Sequence, residues 1–190
     1  MFALFLFGCD DVGHVAAKAI PALEHVDPSW GAPKVDCEDS RPPPKPRRGC
    51  VMETISCGDV IEGTTKGGKN HFGDNFYTHG TFTPQHNDYE LSPEAIYQLK
   101  LDPNVRADIR MDSNCAELDL FAMAWDKTTC PTEKHAELFR GRESEFDDYP
   151  GGGSVVLTTV DRAQNYLVGV DGKYGETGNF RLTINCYLYR

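Results

Sequence analysis

The stretch from Tyr166 to Cys186, YLVGVDGKYGETGNFRLTINC, constrains the fold more than any other. Phe180, Leu182, Ile184 and Cys186 share one parity, and Arg181, Thr183 and Asn185 share the other. That period of two belongs to a strand with one face in a core. Tyr166, Val168 and Val170 repeat it. Between the runs, Asp171-Gly172 and Gly175-Glu176-Thr177-Gly178 tolerate turn geometry, so the pattern predicts a β-hairpin with a long loop.

The same logic runs back along the chain. Val60 to Thr65 reads as a short strand entering a turn cluster, Lys66 to Asn70. Residues 71 to 93 read as long loops around brief strands such as Thr81-Phe82-Thr83, with Phe72, Phe76, Tyr77 and Phe82 covering a core. Tyr97, Leu99 and Leu101 alternate with Gln98 and Lys100, and Val105, Ala107, Ile109 and Met111 alternate with charged residues. Asp102-Pro103-Asn104 between these runs predicts a second hairpin. Leu118 to Trp125 is apolar at both parities except Asp119, as in a central strand covered on both faces. Residues 137 to 140 read as an edge strand, Glu143 to Asp148 as an acidic loop, and Val155 to Val160 as another strand. About eight short strands separated by turns predict an all-β fold, an antiparallel β-sandwich with jelly-roll-like connections, over residues 51–190.

With 190 residues the chain suits one domain plus an extension. A net charge of -10 argues against a nucleic-acid partner, since phosphate binding needs a basic face. Seven cysteines in so turn-rich a chain point to an oxidising compartment, hence an exported protein at the cell surface or outside it. Cys57 precedes the first strand of the sandwich and Cys186 ends the last, and the ends of a compact domain often meet, which pairs them. Local bridges then join Cys115 to Cys130 and Cys37 to Cys50.

The odd cysteine is Cys9, which follows the apolar run MFALFLFG. Leu6-Phe7-Gly8-Cys9 resembles the lipobox of bacterial lipoproteins, which implies a signal segment over residues 1–8 and a lipid anchor on Cys9 as the only membrane attachment. The alternative is a buried first strand over residues 1–8. Residues 9–50 form an N-terminal extension, helical in pattern from Val12 to Val26 and then rich in proline. Pro42-Pro43-Pro44 and Pro46 among Arg41, Lys45, Arg47 and Arg48 read as a semi-rigid solvated linker.

Residues Gly58 to Cys186 resemble a bacterial pre-peptidase C-terminal domain. The resemblance is carried by Val60-Ile61-Glu62-Gly63-Thr64, Ala95-Ile96-Tyr97-Gln98-Leu99 and Glu117-Leu118-Asp119-Leu120, together with Tyr166 to Gly172 and Gly178 to Ile184. It implies a β-sandwich of the kind appended to secreted enzymes, in a family where some members bind calcium or insoluble polymers such as collagen.

Calcium takes six to eight oxygen ligands, and the oxygen-rich places are Asp74 and Asn75, Asn87, Asp88 and Glu90, and Asp112, Glu117 and Asp119. The other reading of these residues is a solvated acidic surface. His71, His79 and His86 lack a zinc spacing, and no nucleophile elbow, phosphate loop or H-E-x-x-H motif occurs. The functional expectation is a non-catalytic extracellular binding or adhesion module for protein or glycan. The alternatives are a structural subunit that assembles with copies of itself through sheet edges and shared calcium, or an accessory domain of a secreted hydrolase.

Overall fold

The computed structural model describes residues 34–43, 45–73, 76–77, 88–89, 91–127, 129–132, 135, 144–147 and 152–188. Within them run the strands β1 Val51–Ile55, β2 Val60–Thr64, β3 Ala95–Leu101, β4 Val105–Asp112, β5 Leu118–Ala124, β6 Ser144–Asp147, β7 Gly152–Thr158, β8 Gln164–Gly172 and β9 Asn179–Leu188. They form two sheets, ordered β1-β3-β8-β5-β6 and β2-β9-β4-β7. One parity of each interior strand meets the other sheet. Leu99, Leu120 and Val168 from the first sheet and Ile109, Leu182 and Ile184 from the second belong to a single buried cluster. The fold is a β-sandwich.

Neither expected hairpin forms. β8 lies in the first sheet between β3 and β5, whereas β9 lies in the second between β2 and β4. The loop between them therefore carries the chain across the sandwich. The same holds at Asp102-Pro103-Asn104, where β3 ends in one sheet and β4 begins in the other. A period of two reveals which side chains face the core, but that face is the same whether the next strand lies alongside or opposite. The sandwich also departs from an all-antiparallel pattern, because β1 pairs parallel to β3. The acidic stretch expected as a loop contains β6, paired with β5 through Leu120↔Asp147 to Met123↔Ser144.

The interior strands of the first sheet, β3, β8 and β5, are buried on both faces. The outer side of that sheet carries Ile96, Phe121, Met123, Trp125 and Leu167, packed against Phe72, Phe76, Tyr77 and Tyr89 from the segment between β2 and β3. Phe121 stands opposite Gly169 in the β5–β8 register. A Cβ on Gly169 would overlap the Phe121 ring, so the glycine is the seat on which that ring lies.

Three disulfides tie distant segments. Cys57 is joined to Cys186 across 129 residues, Cys37 to Cys115 across 78 and Cys50 to Cys130 across 80. Beside the first of them, Gly58 N donates to Ile184 O at 2.8 Å and Ile184 N to Asp59 O at 3.0 Å, so the chain entering β2 runs on along β9. The local bridges Cys115–Cys130 and Cys37–Cys50 do not form. The seven residues of β5 between Cys115 and Cys130 span roughly 23 Å of extended strand, while a disulfide needs Cα atoms within about 7 Å. Cys37 and Cys50 are separated in the same way, each joined to the cysteine at its own end of β5.

Non-reducing peptide mapping should recover these three pairs. The chain-entropy model assigns about 4.5 kcal/mol to closures of 78 and 80 residues and about 5 kcal/mol to one of 129, so no bridge is a weak one. Each paired Cys→Ser replacement should lower the urea midpoint strongly. Gly169→Ala should cost about 1–3 kcal/mol by overpacking against Phe121, measured by the same unfolding.

Candidate binding groove and the buried carboxylate row

Residues 34–43 and 45–48 lie as a strap along the side of the sandwich where β1 and β2 are the edge strands. Cys37–Cys115 fixes one end. There Val35 N donates to Asn114 Oδ1 at 2.9 Å, and Asn179 Nδ2 donates to the carbonyls of Asp36 at 2.7 Å and Asp39 at 2.9 Å. Lys66 Nζ adds a bond to Cys37 O at 3.1 Å. At the other end Arg47 N donates to Val51 O at 2.9 Å, next to Cys50–Cys130. The stretch expected as a solvated spacer is thus, over these residues, part of the domain surface.

Between its fastened ends the strap carries Pro42, Pro43 and Pro46, which have no N–H to offer an edge strand. It therefore lies over the edges of β1 and β2 without zipping onto them. The space left is a groove of about 460 Å³, lined by the strap and by Met52, Glu53, Gly63, Thr64 and Tyr97. That volume falls within the roughly 300–1,000 Å³ of small-ligand sites.

Charges in the groove divide into spent and free. Glu62 accepts from Arg41 Nη2 at 2.7 Å and Arg181 Nη2 at 2.6 Å. These guanidiniums, Arg181 first, hold its carboxyl below the usual range, so Glu62 stays ionised and is no proton donor near neutral pH. Arg41 also meets Asp39 at 2.9 Å. Lys45 and Arg47, by contrast, make no side-chain ion pair or hydrogen bond among the described residues. Tyr97 lies at the floor. Burial first, then the charge of Glu53, raises its hydroxyl pKa, which keeps it a donor.

A second polar feature crosses the outer face of the first sheet. Asp119 and Asp171 are direct partners on β5 and β8, and Glu94, one residue before β3, stands beside Asp171. The three carboxylates form a buried row across adjacent strands. Each holds down the covering segment. Glu94 accepts from His71 N at 2.7 Å and Phe72 N at 2.6 Å, Asp171 accepts from the Tyr77 hydroxyl at 2.5 Å, and Asp119 accepts from the Tyr89 hydroxyl. Lys173 Nζ is 3.8 Å from Asp119 and lies over the Tyr89 ring. Burial pushes Glu94 up to about 7 against the pull of its N–H donors. Burial, then the neighbouring Glu94 charge, raises Asp171 as well. The pair titrates as a unit.

Of the oxygen-rich residues selected from sequence, Asp88, Asp112, Glu117 and Asp119 are among the described residues, and Asp112 lies apart from Asp119. Asp112 lies on β4 in the second sheet, paired with Arg110 at 2.6 Å, while Asp119 lies on the outer face of the first. Asp88 and Glu117 are near Tyr174, whose hydroxyl pKa is raised chiefly by its hydrogen bond to Asp88. Among the described residues no group of three or more His, Cys, Asp or Glu is arranged to hold a metal ion. Asp74, Asn75, Asn87, Glu90, His79, His86, Phe82, Cys9, the signal segment and the edge strand at 137–140 lie outside the described residues. Sequence reasoning missed the groove and the carboxylate row. The available signals were prolines interleaved with unopposed cations, and acids on the same parity as Phe121 and Gly169.

No family model matches this chain, and no curated protein matches it. Among solved structures, the crystal structure of the pre-peptidase C-terminal domain of collagenase from Bacillus anthracis is similar to 77% of this chain and 100% of that one. The identity is 10% and the TM-score 0.38. The sandwich described above rests on this chain's own strands.

The carboxylate row sets a pH dependence. Folded-state values of Glu94 and Asp171 are raised, so the stability they contribute is complete below about pH 4 and is lost as pH rises through 7. Urea midpoints should therefore rise from pH 8 to pH 5, by at most about 1.4 kcal/mol per pH unit for one proton taken up on folding. Asp171→Asn mimics the protonated acid, accepting from Gly172 N and donating to Tyr77, and should flatten that slope. Wild-type stability that falls over this range would overturn the assignment.

Proposed function

We propose that this chain is a non-catalytic binding module that works in an oxidising, extracellular setting. The observation that carries the reading is the groove, a recess of about 460 Å³ kept open by a strap that covalent and hydrogen bonds hold at both ends. Preformed recesses favour binding because little ordering entropy remains to be lost on association. Glu62 is locked ionised between two arginines, which suits recognition and not proton transfer. Three bridges between distant segments fit an oxidising compartment.

The test is a screen of immobilised glycans and matrix proteins against the full chain with its disulfides intact. Glu53 is exposed on β1 and lines the groove, and a tryptophan there suits a strand while filling the recess. Glu53→Trp should weaken whatever binding is found at least tenfold while the melting temperature stays within a few degrees. Binding indifferent to this change, or no ligand for the wild type, would defeat the reading. An EDTA arm reads any contribution from calcium.

A further inference from the structure

The chemistry of the groove narrows its ligand, an inference that rests on the binding-module reading. We infer that it takes a linear acidic polysaccharide. The carboxylate or sulfate groups meet Lys45 and Arg47, and the sugar hydroxyls meet Tyr97 and Glu53.

Four observations select this class. First, the strap gathers Arg41, Lys45, Arg47 and Arg48 within eight residues that contain no acid, in a chain of net charge -10. Arg41 is spent on Glu62 and Asp39, whereas Lys45 and Arg47, on the wall of the groove, have no side-chain partner among the described residues. An anion therefore finds its counter-charge here. Second, Glu53 shares the lining with those cations. A polyphosphate brings no donor for a carboxylate and is repelled by it, whereas sugar hydroxyls donate to it. Third, Met52 and Tyr97 are buried at 8% and 4% exposure, and among the described residues none of the exposed large apolar ones, Val60, Leu91, Val156, Val160, Tyr174 and Leu188, lines the groove. A peptide partner or a bilayer needs an apolar anchor at its contact. Fourth, the hydroxyl of Tyr97 makes no hydrogen bond among the described residues and stays protonated, a donor ready for a sugar oxygen.

The acidic surface beyond the groove keeps such binding local, since charges separated by more than about 8 Å are screened at physiological salt. Affinity should fall as salt rises, as cation–polyanion contacts do.

The probe is a fluorescein-labelled heparin octasaccharide, read by anisotropy with the full disulfide-bonded chain at neutral pH and low salt. Binding is expected, at least tenfold weaker in Lys45→Glu/Arg47→Glu. Those side chains bond to nothing else in the described residues, so the variant should melt with the wild type. An oligogalacturonate should compete, and a polyphosphate of matched charge should compete at least tenfold less well. Equal binding by the double variant, equal competition by polyphosphate, or no binding by the wild type would overturn the inference. If the octasaccharide fails while another ligand binds in a Glu53→Trp-sensitive manner, the acidic-glycan assignment falls and the binding module stands.

Discussion

Burial of the interior strands β3, β8 and β5 on both faces is the constraint from which the rest of the architecture follows. A sandwich normally leaves each outer face in water, and here the outer face of β4 and β9 does carry Arg106, Asp108, Thr183 and Asn185. The other sheet has Phe121 and Leu167 on its outer side and must be covered. Phe72, Phe76, Tyr77 and Tyr89 supply the cover, and the Phe121 ring can lie flat because Gly169 has no side chain. Burying each of these rings contributes about 1.5–3 kcal/mol toward holding the described parts of the connection against the sheet.

The cover ends over Glu94, Asp171 and Asp119, where the outer face turns from apolar to acidic. A bare row of three buried carboxylates would destabilise the sheet, because each ionised group loses its water and faces a like charge. Here two main-chain N–H groups, two tyrosine hydroxyls and Lys173 supply the missing partners. The partners of Glu94 are both N–H donors and satisfy only a carboxylate. Those of Asp171 are one N–H and one hydroxyl, and they satisfy the protonated acid equally well. Burial raises both acids, the neighbouring Glu94 charge raises Asp171 further, and the two titrate as one coupled pair, with the Tyr77 hydroxyl donating to the Asp171 carboxylate. The carboxylates are consequently a fastening whose strength is tied to protonation.

What the residue pattern revealed and what it concealed divide along one physical line. Alternation in Phe180 to Cys186 and Val105 to Met111 identified the core-facing parity, and both runs are strands with those residues buried. Continuous apolarity in Leu118 to Trp125 marked an interior strand, which β5 is. Both are properties of one segment and its immediate environment. Choosing between hairpin and crossing depends on which other strands compete for each edge, and no single segment carries that. The cysteines follow suit. Pairing Cys57 with Cys186 needed only the chain ends to meet. The local pairings failed because β5 is a rod roughly 23 Å long, and its two flanking cysteines must find partners on other segments.

The strap shows how one residue type decides between two fates for the same segment. Two edge strands, β1 and β2, border one side of the sandwich, and an extended neighbour with free N–H groups would complete the ladder of either. Prolines at 42, 43 and 46 remove that option. They also lower the entropy that a fastened segment loses on folding, so anchoring at the two ends is enough to hold the middle in place. A chain with ordinary residues at these positions would gain ladder hydrogen bonds and lose the recess. With proline the edges stay shielded from another chain by the bulk of the strap and by Lys45 and Arg47, while the space beneath stays open. Protection of the edge and provision of a cationic groove are thus two results of one substitution pattern.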